Sequence, residues 1–368
     1  MILKNILPGI LTVCAQGVGS MLIVFLSKRY MMEHMEPQKA VIIYGKHIEQ
    51  EEILDFAHRL LHKYAHLFEI DEMYSEKDVS FSVEDVVLDH STVLMYEVSG
   101  RTRRKIMRFS MAHKKNIYFT PTIEDITLQG CSEKHLLDTP MMKYSYVYET
   151  PSEYTGKRLL DIVMSLSLLC IASPLLLLSA IAIKVEDGGP VFFKQKRCTK
   201  NGKVFEIVKF RSMIVDAEKN GFAPCMERDS RITKVGSILR KTRMDELPQL
   251  INILKGDMSF VGPRPERIEH VAKYTKELPE FAYRMRVKGG LTGYAQIYGK
   301  YNTSPYDKVR LDLTYIENQS LFLDLKIILL TLKIIFIPES TEGFTEKRSK
   351  EIGGSKVKIR DSQENLAK

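Results

Sequence analysis

Between Ile162 and Ile183 the chain carries no charged side chain over about 22 residues, enough as a helix to reach across a bilayer. Ser173-Pro174 sits in the middle of this run. A proline inside a helix removes a backbone hydrogen bond and crowds the preceding turn. A neighbouring serine hydroxyl can satisfy one freed carbonyl, which makes a bent helix tolerable in lipid. Basic residues flank the run on both sides: Lys157 and Arg158 before it, and Lys184, Lys194, Lys196 and Arg197 after it. A spanning helix normally has one basic side, whereas a re-entrant hairpin keeps both ends in the cytoplasm. Residues 158–183 are therefore expected to re-enter rather than cross, a straight kinked span being the alternative. A first apolar segment, from Ile6 to Leu26 and followed by Lys28-Arg29, has no clear small-residue cleavage site before the basic pair. It reads as a transmembrane helix (residues 1–30) with its basic end in the cytoplasm rather than as a signal peptide.

Between these segments, strand and helix patterns alternate. AVIIYG (40–45) and the stretch from Thr92 to Val98 read as strands, as does Ile117 to Thr120; 49–64 and 102–113 read as helices. The alternation predicts a small parallel α/β domain over 38–135, Rossmann-like, with a structural or regulatory role favoured over cofactor binding because Gly45 stands alone and no GxGxxG follows it. His58, His62 and His66 recur every four residues, which reads as a solvated helix face rather than a metal site. A polar linker (136–153) leads into the second half, and 345–368 reads as a disordered charged tail. The segment from Leu321 to Phe336 is strongly apolar but interrupted by Asp324, Lys326 and Lys333, so an interfacial and a core helix both stay open. Five scattered cysteines without a CxxC pair argue against a disulfide framework or a zinc ribbon. A net charge of +8 favours anionic partners, and no nucleic-acid-binding motif accompanies it.

The chemistry concentrates between Lys194 and Gln296. VFEIVKF reads as a strand with Phe205, Ile207 and Lys209 on one face and Val208 and Phe210 on the other. Further on, Asp245 and Glu246 stand side by side among Arg240, Lys241 and Arg243, ahead of Leu247, Leu250, Ile251 and Leu254 at helical spacing. Acidic residues in a first helical turn are an ordinary complement to the helix dipole. A carboxylate kept ionised by arginines can also attack phosphorus or hold Mg²⁺. VGPRP (261–265) is a rigid turn presenting one arginine, Arg264, suited to gripping phosphate.

Taken together, KFRSM, DELPQLINILKGDMSFVGPRPE, GGLTGYAQIYGKYN and YIENQSLFLDLKI closely resemble the bacterial sugar transferase family, the monotopic polyprenol-phosphate phosphoglycosyltransferases. The resemblance runs from about Tyr154 to Phe336 and implies a mainly α, membrane-associated catalytic domain (154–340), with the α/β domain before it non-catalytic. It implies transfer of a sugar-1-phosphate from a UDP-sugar to undecaprenyl phosphate, releasing UMP, at the cytoplasmic face of the cell membrane. Such a reaction initiates exopolysaccharide, capsule or glycoconjugate synthesis. It also implies Asp245 as the nucleophile of a covalent phosphosugar intermediate and as Mg²⁺ ligand. Glu246 would assist proton transfer or position the acceptor phosphate. Lys209, Arg240 and Arg264 would contact phosphates, and Ser173-Pro174 would form the break of the re-entrant helix. Family members often read PGxTG where this chain has Gly289-Gly290-Leu291-Thr292-Gly293, a change expected to loosen that loop. The donor sugar stays open, and a homo-oligomer is compatible with the sequence. Two other readings compete: a glycosyltransferase that passes the sugar without its phosphate, and a membrane-tethered binding protein without catalysis.

Overall fold

The computed structural model describes residues 2–77, 83–145, 151–215, 217, 229–299, 303–335 and 358–359. The chain forms two compact units, Met1–Thr120 with Thr345–Lys368, and Pro121–Phe344.

The first unit begins with a 33-residue helix, α1 (Ile2–His34). There follow β1 (Gln38–Tyr44), α2 (Gln50–Tyr64), β2 (Phe68–Ser75), α3 (Val83–Asp89), β3 (Thr92–Tyr96), α4 (Gly100–Ala112) and β4 (Asn116–Phe119). The sheet order is β2-β1-β3-β4, all parallel, with Lys358–Ile359 of the tail added beside β2. The rest of the tail expected to be disordered lies outside the described residues. Strand β1 is buried on both faces, as a parallel central strand must be. Ala40, Ile42 and Tyr44 pack with Ile53 and Ala57 of α2, while Val41 and Ile43 pack with Val86 and Val87 of α3 and Ile106 of α4. The expected α/β sheet is present; β2 and α3 are elements that the sequence patterns did not single out. Gly45 marks a close approach, since a Cβ there would lie 2.1 Å from the Glu97 carbonyl oxygen. The N-terminus of α4 is bonded by the chain's own Glu76, whose carboxylate accepts from the Ser99 hydroxyl and, at 2.6 Å, from Thr102. His62 is exposed, His66 lies beyond the end of α2, and no cluster of three metal-ligating side chains occurs among the described residues.

The second unit is mostly helical. It opens with α5 (Ile123–Gln129) and a hairpin, β5 (Ser132–Leu136) with β6 (Thr139–Lys143), where the sequence showed only the start of a linker. Helix α5 packs into the core of this unit through Ile123 and Ile126, so the division falls before it rather than at 135. Then come α6 (Pro151–Asp187), the antiparallel pair β7 (Phe192–Cys198) and β8 (Val204–Phe210), α7 (Lys234–Lys241), α8 (Gln249–Lys255) and β9 (Ser259–Val261). The chain continues through α9 (Ile268–Glu277), a 3₁₀ stretch (Pro279–Arg286), β10 (Gly290–Thr292), α10 (Tyr294–Tyr298), α11 (Pro305–Glu317) and α12 (Leu321–Ile335). Strand β8 splits its two faces as expected: Phe205 and Ile207 enter the main core with Leu250, Ile253, Leu313 and Ile327, while Phe210 packs with Ile183 and Leu239.

Helix α6 runs for 37 residues, about 55 Å of rise, with Pro174 inside it. It is long and apolar enough to cross a membrane. Pro174 cannot donate to the Cys170 carbonyl, and the Ser173 hydroxyl donates to that oxygen instead, at 2.8 Å. Both ends of α6 are bonded to the second unit. At the first end Arg158 donates to the carbonyls of Ile253 and Leu254 (2.6 and 2.7 Å), closing the C-terminus of α8. Asp161 accepts from the Phe260 amide at 2.7 Å and the Ser259 hydroxyl at 3.0 Å. At the other end Asp187 pairs with Arg211, whose hydrogen bonds hold the carboxyl down at about 2. Glu186 accepts from the Lys234 amide at 2.8 Å and so caps α7.

Helix α12 combines the two characters its sequence left open. Ile327, Ile328 and Asp324 are buried, whereas Phe322, Leu325, Leu329 and Leu332 are exposed. Asp324 is accounted for by a 2.6 Å pair with Lys157 and a 2.8 Å bond from the Tyr315 hydroxyl. Lys157 also donates to the Val261 carbonyl at 3.0 Å, so one network joins α6, β9, α11 and α12. Removing one partner of a buried pair leaves the other charge uncompensated, at a cost of about 3 kcal/mol or more. Lys157→Met should therefore lower the midpoint of thermal unfolding markedly, and Lys157→Met with Asp324→Leu should recover part of the loss. Calorimetry in detergent tests both.

Candidate active site

Helix α7 ends at Thr242, whose amide donates to the Ile238 carbonyl at 3.0 Å. Arg243 then takes the left-handed conformation (φ 58), unusual for a residue with a side chain, and turns the chain sharply. Asp245 and Glu246 follow on a 3₁₀ turn, Met244–Glu246. They precede α8 rather than opening it, because Pro248 fits the start of a helix but not its interior. The buried residues of α8 are also shifted from the expected set: Leu250 and Ile253 are fully buried, while Ile251 is 37% exposed.

Glu246 is the electrostatic hub. Its carboxylate accepts from Lys209 at 3.0 Å and from Arg264 at 2.5 Å. Burial works against its ionisation, but Arg264 and Lys209 outweigh this and hold it well below the usual carboxylate range. Asp245 is shifted the other way. Burial and the charge of Glu246 push it up, against the opposing pull of Lys209, Arg240 and Arg243. Its Oδ1 is buried and has no hydrogen-bond partner among the described residues. Two adjacent carboxylates thus differ in state, one locked into ion pairs and one with an unused oxygen. Burial lowers the Lys209 ammonium even against Glu246, and Glu246 raises Arg264.

Each cation is placed by a different element. Lys209 comes from β8, which is fastened to α8 by Asn252: its side chain accepts from the Val208 amide at 3.0 Å and donates to the Glu206 carbonyl at 2.8 Å. Arg240, at the end of α7, donates to the Ser212 hydroxyl at 2.8 Å. The contact is close because Gly236 lies flat on Ser212, where a Cβ would meet the Ser212 carbonyl oxygen at 2.1 Å. Arg264 stands in the turn after β9. There the Gly262 amide donates to the Thr292 carbonyl and the Gly290 amide to the Pro263 carbonyl, both at 2.8 Å. Arg284 donates to the Arg264 carbonyl at 3.1 Å while paired with buried Asp312 at 2.6 Å. At the Gly289-Gly290 departure the loop carries a tie of its own. The Gly289 amide donates to Thr199 at 3.0 Å, a bond proline cannot make, and a Cβ would lie 2.7 Å from Pro265.

Of the residues picked out in the sequence, Asp245, Glu246, Lys209 and Arg264 come together, with Arg240 within electrostatic reach of Asp245. Ser173 and Pro174 lie in the middle of α6, apart from this ionic network. Asn252, Arg284, Asp312 and Glu266 were missed. A polar residue at a helical position whose neighbours are apolar was the signal for Asn252; nothing in sequence spacing links Arg284 to Asp312.

The site can be set beside known proteins. The family profile described as bacterial sugar transferase matches residues 152–338, and the chain belongs to that family. A UDP-N-acetylgalactosamine-undecaprenyl-phosphate N-acetylgalactosaminephosphotransferase of Aeromonas hydrophila is 36% identical over 242 residues, 65% of this chain and 56% of that protein. A UDP-glucose:undecaprenyl-phosphate glucose-1-phosphate transferase of Caulobacter vibrioides is 44% identical over 180 residues, 48% of this chain and 67% of its own length. The protein of that name from Klebsiella pneumoniae is 41% identical over 218 residues, 58% of this chain and 45% of its own. The chain spans about half the length of the Aeromonas and Klebsiella proteins.

Glu266, which follows the PRP turn, lies 3.6 Å from Arg284, 3.9 Å from Arg197 and 4.0 Å from Lys308. Burial opposes its charge, but Arg284, Lys308, Arg264 and Arg197 hold its pKa below the ordinary 4.5. A carboxyl lowered on folding contributes stability above its unfolded value and loses it as the pH falls toward the folded one. The stability gap between the wild type and Glu266→Gln should therefore be largest near neutral pH and should shrink as the pH falls through 4.5, measured by denaturant titration.

Proposed function

We propose that this protein transfers a sugar-1-phosphate from a UDP-sugar to undecaprenyl phosphate, releasing UMP and initiating polysaccharide or glycoconjugate synthesis at the cytoplasmic face of the cell membrane. The observation that carries the reading is Asp245 Oδ1, buried and unpartnered among the described residues beside three cationic side chains. It is supported by the names of the relatives, which act on undecaprenyl phosphate with UDP-glucose or UDP-N-acetylgalactosamine.

In this mechanism the donor diphosphate lies against Lys209, Arg240 and Arg264, which offset its charge. Asp245 Oδ1 attacks the phosphorus bonded to the sugar, the bond to the bridging oxygen breaks, and UMP leaves with that electron pair. Undecaprenyl phosphate then attacks the aspartyl phosphosugar, forming the lipid diphosphate and returning the carboxylate. Glu246, ionised and doubly paired, is suited to holding Lys209 and Arg264 in place rather than to carrying a proton. Positioning and charge neutralisation supply the catalysis, since one phosphoanhydride is exchanged for another. Mg²⁺ fits the donor set, since the Asp245 carboxylate offers hard oxygens and its Oδ1 has no partner among the described residues. When bound it would neutralise charge on the diphosphate.

Re-entry of α6 is supported by its two ends, both bonded to the second unit through Arg158 and Asp161 at one and Glu186 and Asp187 at the other. A straight span would separate these contacts by the thickness of a bilayer. Exposed apolar residues on α12 are suited to rest on the same lipid surface. Cysteines introduced at Ser152 and Asp187 should both be labelled from the cytoplasm; labelling from opposite sides would mean a span. Helix α1 is read as a further membrane anchor.

A panel of UDP-sugars with undecaprenyl phosphate tests the reaction. UMP should be the nucleotide product with at least one donor, and its formation should fall by about 100-fold or more in Arg264→Ala. UDP as the product would favour simple glycosyl transfer. No turnover with any donor, with membrane binding intact, would favour a binding protein.

A further inference from the structure

The 3₁₀ turn at Met244–Glu246 leads into α8 through Leu247 and Pro248, both right-handed in backbone: the Leu247 amide donates to Met244 at 3.2 Å, Leu250 to Leu247 at 3.0 Å and Ile251 to Pro248 at 3.1 Å. Gln249 therefore lies about one turn beyond Asp245, with Glu246 and Asn252 three residues to either side of it. Those two neighbours both reach β8, Glu246 through Lys209 and Asn252 through Val208 and Glu206. Gln249 lies between these two in sequence, and it is 1% exposed. Its Nε2 has no hydrogen-bond partner among the described residues, although buried amides are nearly always paired. Asp245 Oδ1 is unpaired too. A buried acceptor and a buried donor four residues apart thus both lack a partner, an arrangement that suits a third group bonding both.

Resting on the aspartyl-transfer reading above, we infer that Gln249 is a further catalytic residue, whose side-chain N–H donates to a non-bridging oxygen of the transferred phosphoryl group. A phosphorus approached by a carboxylate gathers negative charge on those oxygens, and a neutral donor in a buried site stabilises that charge without attracting the nucleophile. The lysine and arginines cannot replace it fully, since Lys209 and Arg264 are already shared with Glu246. The amide is not consumed: the bond to Asp245 Oδ1 forms, the bond to the UMP oxygen breaks, and the N–H···O bond tightens and relaxes around them.

The test uses Gln249→Met, which keeps the volume without the donor, and Gln249→Glu, which keeps the shape and replaces the N–H with an acceptor. Full-length protein in detergent is mixed with Mg²⁺ and either UDP-glucose or UDP-N-acetylgalactosamine, without lipid acceptor, and UMP release is followed in the first turnover. Wild type should release one UMP per active site with the donor it uses. In the variants that first turnover should slow by about 100-fold, with KM for the donor changed less than about threefold and unfolding midpoints close to wild type. A wild-type rate in either variant overturns the inference and leaves the aspartyl mechanism standing. So does a loss confined to KM, or failure of both variants to fold, which would make Gln249 structural. If wild type releases no UMP before lipid is added yet turns over afterwards, the underlying mechanism fails and the inference with it.

Discussion

Glu246 is held between Lys209 on β8 and Arg264 in the turn after β9, and the geometry around Asp245 depends on that pair of contacts. Two cations and a carboxylate in a largely buried site are tolerable only together, because each alone would be an uncompensated charge. Their mutual pairing brings three segments far apart in sequence to one point. It also leaves the neighbouring carboxylate unpaired: Asp245 borders the same cations without being bonded to them, and its Oδ1 is buried without a partner among the described residues. Around this centre the supporting bonds run outward, Asn252 fixing β8 to α8, and Arg284 with Asp312 fixing the backbone of Arg264.

The same elements that carry the site grip α6. Arg158 closes the C-terminus of α8, Asp161 holds β9, Glu186 caps α7 and Asp187 pairs with Arg211 just beyond β8. On the proposed function, a catalytic centre for a lipid-borne phosphate has to be presented at a fixed depth relative to the bilayer. Bonding both ends of the apolar helix to the elements that bear Lys209, Arg240, Asp245 and Arg264 is a direct way to set that depth.

Much of the site was legible in the sequence because its residue types are unusual where they stand. Adjacent carboxylates amid arginines, a single arginine between prolines, and a Ser-Pro pair in an apolar run each stand out locally. The sheet of the first unit was visible in AVIIYG and in the stretch from Thr92, whereas β2 mixes acidic and apolar residues and gives no clean alternation. The 3₁₀ turn was misread as a helix start because the pattern of leucines and isoleucines runs smoothly across Pro248, and only the left-handed Arg243 shows where the chain turns. Long-range pairs such as Lys157 with Asp324 leave no trace in local spacing. The Gly289-Gly290 departure reads locally as a loosening, whereas the Gly289 amide bond to Thr199 depends on a residue 90 positions away.

In the proposed mechanism Asp245 becomes covalently linked to the phosphosugar before the lipid acceptor takes part. Intact-protein mass spectrometry of enzyme mixed with Mg²⁺ and donor alone, followed by peptide mapping, tests it most directly. One added phosphosugar is expected on the peptide containing Asp245, matched by UMP release and absent in Asp245→Asn. Neither adduct nor UMP from an enzyme that turns over normally once undecaprenyl phosphate is added would contradict it, and would leave Asp245 as a metal ligand in a direct transfer.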